Sequence, residues 1–468
     1  MSLKVGDTGR ITIAGAGLAG TLLAVLLSRK GFGVDLFERN PDPREDAAPG
    51  GRSINLALAE RGRNALNLAG LLEQVDAFTI PMRGRMLHDT EGQLTLQPYG
   101  KDESEVIWST HRARLNITML DAAEASGKIR CYFDHLLSDV DWAAQSLSFS
   151  RADGATHQHQ FEVLIGADGG GSAVRQAMAS VADLGISEEM LGHGYLELSI
   201  PANESGDFQM DPHALHIWPR GGYMLIALPN SGGSFTVTLF LPNEADAGEG
   251  DLGEGGPSFG QLTDWPRQKQ FMQDQFPDAM PLLAGLEADF RDHPVGLLGT
   301  IRCRKWFYRD QAVLLGDAAH AVVPFHGQGM NAAFEDCVEF INCLENTGLN
   351  WAEVFERYQE RRIDDANAIA DMALENYAIM RESVRDPRFL LMKKLEHELE
   401  RRHPQRFIGR YALVMFHTLP YAQVYQRGLQ QAIILDRLLE GARSLEQVDF
   451  ELADRLVVEQ LQKIPGLP

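Results

Sequence analysis

The sequence predicts a mixed α/β protein, α+β overall, in which a parallel nucleotide-binding layer is interrupted by a sheet-rich second domain and followed by a helical region. Three observations predict it. Residues 10–38 read in succession as strand, glycine turn, helix and strand, the layout of a βαβ unit. Between Tyr195 and Leu241 apolar and polar residues alternate or cluster around Gly and Pro, as antiparallel strands do. From Trp351 to Arg443 the spacing is mostly helical.

Taken in order, Arg10–Ala14 is a short apolar strand and Leu18–Lys30 a helix, with Leu18, Leu22 and Leu26 on one face and Ala19 and Ala24 as strong helix formers. Val34–Phe37 is the second parallel strand, and Ala59–Ala69 reads as a helix. Alternation from Met86 to Leu96, then Leu215–Trp218, Tyr223–Leu228 and Phe235–Leu241, supplies antiparallel strands of an inserted domain. Asn243–Gly256 is an acidic, Gly-rich surface loop. The helical region breaks near Asp386-Pro387 and again at His403-Pro404.

At 468 residues the chain exceeds one ordinary core, so two or three domains are expected. With 44% hydrophobic and 23% charged residues its composition is that of a soluble globular protein. No run is long and apolar enough for a transmembrane helix, and no basic-then-apolar start marks a secretory signal. Cys131, Cys303, Cys337 and Cys343 lack metal-ligand spacing, so reduced thiols in a cytoplasm are expected and no metal. A net charge of −22 excludes nucleic acid as a partner. Any anionic ligand must therefore find local arginines.

Four motifs carry the chemistry. Gly15-Ala16-Gly17-Leu18-Ala19-Gly20 lies between strand and helix, with Glu38 closing the next strand. Gly15 permits the tight turn, Gly17 the approach of a pyrophosphate, Gly20 the packing of helix on strand, and Glu38 accepts from a ribose hydroxyl. Glu at that point favours FAD or NAD over a 2′-phosphate. The second motif is Leu164–Gly169 with Ser172 and Arg175. Its Asp168 is either a helix cap or a ligand group. The third, Val313–Asn331, delivers Asp317 from a buried strand and opens a helix at Gly327-Gln328-Gly329. Asp317 suits a ribityl hydroxyl, and the Gly327 and Gly329 N–H groups suit an isoalloxazine carbonyl. The alternative is a buried cap and turn, with His320 and His326 as satisfied core histidines. The fourth gathers Arg52, Arg112 and Arg114 beside the cofactor elements, either as surface charges or for phosphate.

In this order and spacing, the first three motifs resemble those of the group A flavoprotein aromatic hydroxylases. The WxWxIP string expected of a halogenase does not occur. Gly51–Leu58, Met82–Met86, Leu96–Gly100, Val323–Asn331, Met372–Tyr377 and Arg406–Tyr411 are similar to the kynurenine 3-monooxygenase family in particular. The likeness runs from Ile11 to about Arg427. The chain departs from the family's eukaryotic members in carrying His326 where they tend to have Phe. It departs again where they end in a membrane anchor: Asp436 and Arg437 interrupt Leu429–Leu439, as in a soluble amphipathic helix.

The resemblance implies a discontinuous Rossmann-like FAD-binding domain (1–80, 105–185 and 295–375), an antiparallel-sheet substrate domain (81–104 and 186–294) and a C-terminal helical region (376–468). It implies bound FAD, NADPH as a transient co-substrate, O2, and hydroxylation of L-kynurenine to 3-hydroxykynurenine through a flavin C4a-hydroperoxide. A hydroxylase of another aromatic acid, of salicylate or p-hydroxybenzoate type, and a flavin-dependent reductase are the alternatives. To the cofactor it gives Gly15, Gly17, Leu18, Ala19 and Gly20, then Glu38, Arg39, Arg52, Leu56 and Arg112. Asp168, Asp317, Gly327, Gly329, Met330 and Asn331 complete that set.

A carboxylate bound in a partly apolar pocket calls for a charge-assisted donor, which Arg85 with Tyr99 supplies. The resemblance gives Arg85, Tyr99 and Asn376 to an amino-acid head group, with Tyr411 in support. It gives Leu215, Ile226, Thr238, Phe240, Phe325 and Met380 to the aromatic ring, where ordinary core packing is the other reading. No strong base is obligatory, because the ring amine activates its own ortho carbon. Pro324, Phe325 and His326 are expected to form the wall of the site where flavin meets substrate. Oligomeric state is not legible.

Overall fold

The computed structural model describes residues 10–45, 55–101, 103–244, 256–379 and 387–465. Its central sheet has six strands in the order Phe307–Tyr308, Ala312–Leu314, Val163–Gly166, Ile11–Ala14, Val34–Phe37 and Ile129–Tyr132. All neighbours are parallel except the first pair. Ile11–Ala14 and Val163–Gly166 are buried throughout, so they read as unbroken apolar runs without alternation. Asp35 is the polar exception in its strand, and Arg10 Nε meets its carboxylate at 2.8 Å. The helix Leu18–Arg29 packs against this sheet and is buried from Gly20 to Ser28. The first strand and helix end within a residue of expectation, and Val34–Phe37 is as expected.

A seven-stranded sheet forms the second layer, in the order Gly296–Arg302, Ser187–Ile200, Phe235–Pro242, Met224–Pro229, Ala214–Pro219, Gly84–His88, Leu94–Pro98. The three strands expected between 215 and 241 are present. The sheet is antiparallel except for one pair: Gly84–His88 runs parallel to Ala214–Pro219, with Arg85 opposite Leu215. Residues 84–98 reach the sheet from a distant part of the chain, so no hairpin turn dictates their direction. Because side chains alternate along a strand, Arg85 and His88 point to opposite faces. On the His88 face, Trp218, Phe235, Phe271 and Phe276 form a separate core. There His88 bridges Asp278 (2.7 Å) and His216 (2.8 Å), and burial lowers His216 to about 4.

A three-stranded sheet, His135–Asp141, Ser146–Arg151 and Thr156–Gln160, was not anticipated. Its alternating Phe149, His157 and His159 surround Phe37. Beyond Trp351–Ala378, the helices Pro387–Arg402, Arg410–Phe416, Tyr421–Leu438 and Phe450–Gln460 follow. The His403-Pro404 break falls just after the first of these. Asp386 and most of the acidic loop, residues 245–255, lie outside the described residues. Among those described, no helix is long and apolar enough to cross a membrane.

The strand ending at Leu314 is fixed by a carboxylate. Asp336, fully buried on the helix Gly329–Thr347, accepts from Gly316 N at 3.1 Å and His320 Nε2 at 2.6 Å. Arg362 Nε donates to its other oxygen at 2.7 Å. His320 stacks on Trp306, with centroids 4.9 Å apart, and is the satisfied core histidine of the plainer reading. Burial alone pushes the Asp336 carboxyl up, but His320 and Arg362 outweigh it and bring it to about 2. A carboxyl lowered by folding contributes stability above its ordinary value near 4, lost as pH falls toward 2. Asp336→Asn should therefore cost about 3–5 kcal/mol at pH 7. In urea melts the gap from the parent protein should narrow between pH 4 and pH 2; a gap independent of pH would refute the assignment.

Candidate active site

One cavity of about 1,100 Å³ runs from the C-terminal ends of the parallel strands to the Arg85 face of the second sheet. Gly15, Glu38, Ala167 and Leu315, each just past a strand end, all line it, the usual ligand position in an open α/β sheet. Three glycines meet three different demands. Gly15 has φ +101, and a Cβ there would fall 2.4 Å from Ala167 O. A Cβ on Gly20 would fall 2.0 Å from Gly15 O, so Gly20 serves packing and does not line the cavity. A Cβ on Gly17 would meet no protein atom within 4 Å, yet Gly17, Leu18 and Ala19 line the cavity. No side chain caps the helix that starts at Leu18, so its first N–H groups are left for an anionic ligand.

Glu38 lines the cavity and also fastens the turn, Oε2 accepting from Ala16 N at 3.0 Å and Oε1 from Asn40 N at 3.0 Å. Arg39 lies beside it. Sequence reading missed Asn116, whose Nδ2 donates to Ala16 O at 3.2 Å. Its one signal is a place four residues after Arg112 on the same helix, hence on the same face. Phe133, His135 and Phe149, contributed mainly by the unanticipated sheet, close this end.

Asp168 fits both readings offered for it. It accepts from Ser172 Oγ at 2.5 Å and Val174 N at 3.1 Å, capping a helix, and it lines the cavity. Burial raises its pKa against those two bonds. Arg175 ties this turn to the third motif, donating to Gly170 O at 2.5 Å and Ala318 O at 2.9 Å. Asp317 lines the cavity, and burial raises its pKa although His320 and Arg112 oppose the rise. Arg112 and Leu56 also face the cavity. Arg114 does not; it donates to Ser231 and covers Phe78. Arg52 lies outside the described residues.

Gly327, in the left-handed region at φ +66, and Gly329 and Met330 line the cavity where the helix Gly329–Thr347 begins without a side-chain cap. Asn331 does not reach it. Instead Asn331 donates to Ala57 O (2.8 Å) and Gly327 O (3.0 Å) and accepts from Ala59 N (2.9 Å), locking two loops together. An empty space over Gly17, two uncapped helix starts and carboxylates at Glu38 and Asp317 together fit an extended dinucleotide.

At the far end Arg85 projects between two phenol rings, its guanidinium 4.6 Å from the Tyr411 ring centre and 5.7 Å from that of Tyr99. No carboxylate among the described residues pairs with it, and its Nε is buried without a hydrogen-bond partner. Burial alone lowers the Arg85 pKa, but Tyr411 and Tyr99 outweigh it and leave it raised, so the cation persists. Leu215, Ile226, Thr238, Phe240 and Phe325 line the adjoining space with Pro324 and His326. Asn376 stands behind the wall, its Nδ2 donating to Phe325 O at 2.6 Å, and it does not line the cavity. Met380 lies outside the described residues. Met415, which the sequence did not flag, faces the cavity from the helix Arg410–Phe416.

His326 stacks on Tyr411, with ring centroids 5.3 Å apart. Burial brings it to about 3, so it is a neutral imidazole near pH 7. The arrangement can bind a carboxylate at Arg85 and enclose an aromatic body beside it. Among the described residues no group of His, Cys, Asp and Glu could hold a metal ion.

Comparison with known proteins agrees with this geometry. Residues 8–221 and 299–373 match the family model of an FAD binding domain. The chain is 47% identical over 458 residues to a kynurenine 3-monooxygenase of Stenotrophomonas maltophilia (strain K279a), covering 97% of this chain and 98% of the relative. It is 47% identical over 457 residues to one from Xanthomonas campestris pv. campestris (strain 8004), with the same coverage. Among solved structures, tetrameric 2-methyl-3-hydroxypyridine-5-carboxylic acid oxygenase has a TM-score of 0.64 at 18% identity, over 82% of this chain and 96% of that one. PqsL of P. aeruginosa in complex with 2-aminobenzoylacetate has a TM-score of 0.62 at 19% identity, over 80% and 96%. These two structures share the fold.

Two glycine substitutions should separate packing from ligand approach. Gly17→Ala should leave apoprotein stability within about 0.5 kcal/mol yet weaken FAD binding about tenfold or more, read by flavin fluorescence titration. Gly20→Ala should already destabilise the apoprotein by about 1–3 kcal/mol. Unchanged FAD affinity in the Gly17 variant would remove the dinucleotide from that space.

Proposed function

The chain belongs to the kynurenine 3-monooxygenase family of FAD-dependent aromatic hydroxylases, and from that premise we propose that it hydroxylates L-kynurenine to 3-hydroxykynurenine. NADPH, O2 and one proton are consumed; one oxygen atom enters the ring and the other leaves as water, with NADP⁺ formed. The observation that carries the choice of substrate is Arg85, a buried guanidinium that faces the cavity with no carboxylate partner among the described residues. A substrate α-carboxylate completes that pair, and the Tyr99 and Tyr411 hydroxyls assist. Next to it Leu215, Ile226, Phe240 and Phe325 offer an apolar slot of the kind an aniline ring fills.

Bound FAD supplies the two-electron redox chemistry and the activation of O2. The protein's own residues do the rest. Glu38, Asp317 and the N–H groups at Leu18 and Gly329 hold and polarise the cofactor, with Gly15, Gly17, Gly327 and Met330 giving it room. Asn331 acts indirectly, by fixing the Gly327 turn. Pro324, Phe325 and His326 line the cavity next to the Gly327 turn and form the wall that excludes water where cofactor and substrate meet. Asn376 supports that wall through the Phe325 carbonyl, so its contribution to the amino-acid head group runs through the wall. With His326 neutral and no other base in the slot among the described residues, the ring amine provides the activation.

Separate cores support a division into a discontinuous FAD-binding domain (1–80, 105–185, 295–375), a substrate domain (81–104, 186–294) and a helical region (376–468). Four unpaired cysteines, three of them buried, are in keeping with a reducing cytoplasm.

NADPH oxidation should accelerate when kynurenine is added, and the product should gain one oxygen atom by mass spectrometry. Stimulation by salicylate or p-hydroxybenzoate but not by kynurenine would replace this reading with a phenolic-acid hydroxylase. Arg85→Ala should raise the KM for kynurenine about a hundredfold with FAD content intact. Arg85→Lys should recover only part, since an ammonium lacks the bidentate fork. Loss of FAD from Arg85→Ala would instead put Arg85 at the cofactor.

A further inference from the structure

The three-stranded sheet at the nucleotide end of the cavity gathers a cluster of rings around Phe37. That buried ring stacks on Tyr132, with centroids 4.5 Å apart, and on Phe149, with centroids 4.2 Å apart; the planes of each pair differ by 11°. Two rings stacked so closely cannot share one face, so both faces of Phe37 are covered. The imidazoles of His159, His135 and His157 therefore meet its rim, at 4.9, 5.8 and 6.0 Å between centroids. They also approach one another, His135 and His157 to 5.0 Å and His157 and His159 to 6.3 Å.

Strand alternation builds this cluster. His157 and His159 are two apart on one strand, paired with Phe149 and Leu147 of the next, so their side chains share a face. His135 comes from the third strand, opposite Arg151. Phe37, Phe133, His135 and Phe149 line the cavity together with Glu38 and Asn40. Backbone bonds stitch the two sets together. His135 N donates to Glu38 O at 2.8 Å, Glu38 N to Tyr132 O at 2.8 Å, and Asp134 N to Asn40 O at 3.0 Å. The strand end that presents the Glu38 carboxylate is thus fastened to the histidine sheet.

The rim of an aromatic ring carries partial positive charge, so it favours a neutral imidazole and repels an imidazolium. Burial lowers His157 and His159 below their ordinary 6.5. His135 and Arg151 lower His157 further. At His159 the Asp35 carboxylate opposes the fall, while His157 and Arg10 add to it. Asp35 does not reverse it, because its Oδ2 is held by Arg10 Nε at 2.8 Å and stands 3.9 Å from His159 Nε2. That nitrogen lies 3.1 Å from Thr12 Oγ1 instead, a hydrogen bond open to a neutral ring. Histidines lowered on assembly leave the packed sheet with fewer protons than the separated one. Packing is therefore favoured above pH 6.5 and weakens as pH falls below it.

We propose that His135, His157 and His159 are positioning residues for the adenosine end of FAD: while neutral they pack the small sheet against Phe37 and set Glu38, and on protonation they release it. Retention of the cofactor then depends on pH through groups remote from the kynurenine slot. The proposal rests on FAD occupying the nucleotide end of the cavity, as the functional reading has it.

The test is titration of the apoprotein with FAD, read by flavin fluorescence, between pH 7.5 and pH 5.5. The parent protein should bind FAD about tenfold more weakly at the acid end. The double variant His157→Gln with His159→Gln is uncharged at both positions throughout this range. It should match the parent within about threefold at pH 7.5 and lose most of the acid weakening. The single variant His157→Gln, which leaves the His159–Thr12 contact in place, should lose part of it. Arg151→Gln, at an exposed position, should move the weakening to higher pH, because Arg151 opposes protonation of His157. Asp168 and Asp317 also line the cavity, and burial raises both. Acid weakening that the histidine variants retain in full belongs to those carboxyls and overturns the proposal. So does an FAD affinity in the parent that is the same at pH 7.5 and pH 5.5. Failure of the parent to bind FAD at either pH would instead overturn the cofactor reading beneath it.

Discussion

The cofactor end of this structure depends on one buried carboxylate. Asp336 receives the Gly316 N–H, the His320 ring and the Arg362 guanidinium, and so joins a strand end, a short helix and two long helices at one point. Arg362 also pairs with Glu335 and Asp365. Glu335 reaches Arg61, and Asp365 accepts from Ala422 N at 2.8 Å. Charge balance in this buried set is collective: removing any member leaves another ion without compensation. The loop from Asp317 to Gly329 is therefore placed by groups that never touch the cavity.

From that anchored loop outward, the cavity is built of two materials. At its nucleotide end the contacts are mainly backbone: positive-φ turns at Gly15 and Gly327 and two uncapped helix starts. Such groups recognise electron-rich atoms in general and leave specificity to a few carboxylates. At the far end side chains dominate, and a guanidinium that no carboxylate among the described residues pairs lies between two phenol rings. The second sheet presents Arg85 on one face while its other face is secured by the Asp278–His88–His216 chain.

The C-terminal helices belong to the same wall. Tyr411 and Met415 come from Arg410–Phe416, and Arg410 is itself pinned to Glu375 at 2.6 Å. Gln328, inside the glycine turn, accepts from Tyr421 OH at 2.7 Å and donates to Met415 Sδ at 3.1 Å. Cofactor turn, substrate wall and helical region consequently share one set of contacts, so displacement of any one is felt by the other two.

What the sequence determined by itself was local. A strand, a glycine turn and a helix announce themselves because 2.0- and 3.6-residue periods and positive-φ glycines are properties of contiguous residues. For that reason Val34–Phe37, the Gly15–Gly20 turn and the helix beginning at Gly329 are legible in the sequence, whereas Arg85, Tyr99 and Tyr411 stand out only through the chemistry a carboxylate requires and the family resemblance. Only the tertiary structure decided which members of a motif face the cavity: Gly20 and Asn331 turn to packing and loop-locking, and Asn376 supports a carbonyl. It alone supplied Asn116, Met415, the small sheet beside Phe37 and the parallel register that sets Arg85 against Leu215. Those features arise where segments a hundred or more residues apart meet, and the contact energy that selects them leaves no periodic trace along the chain.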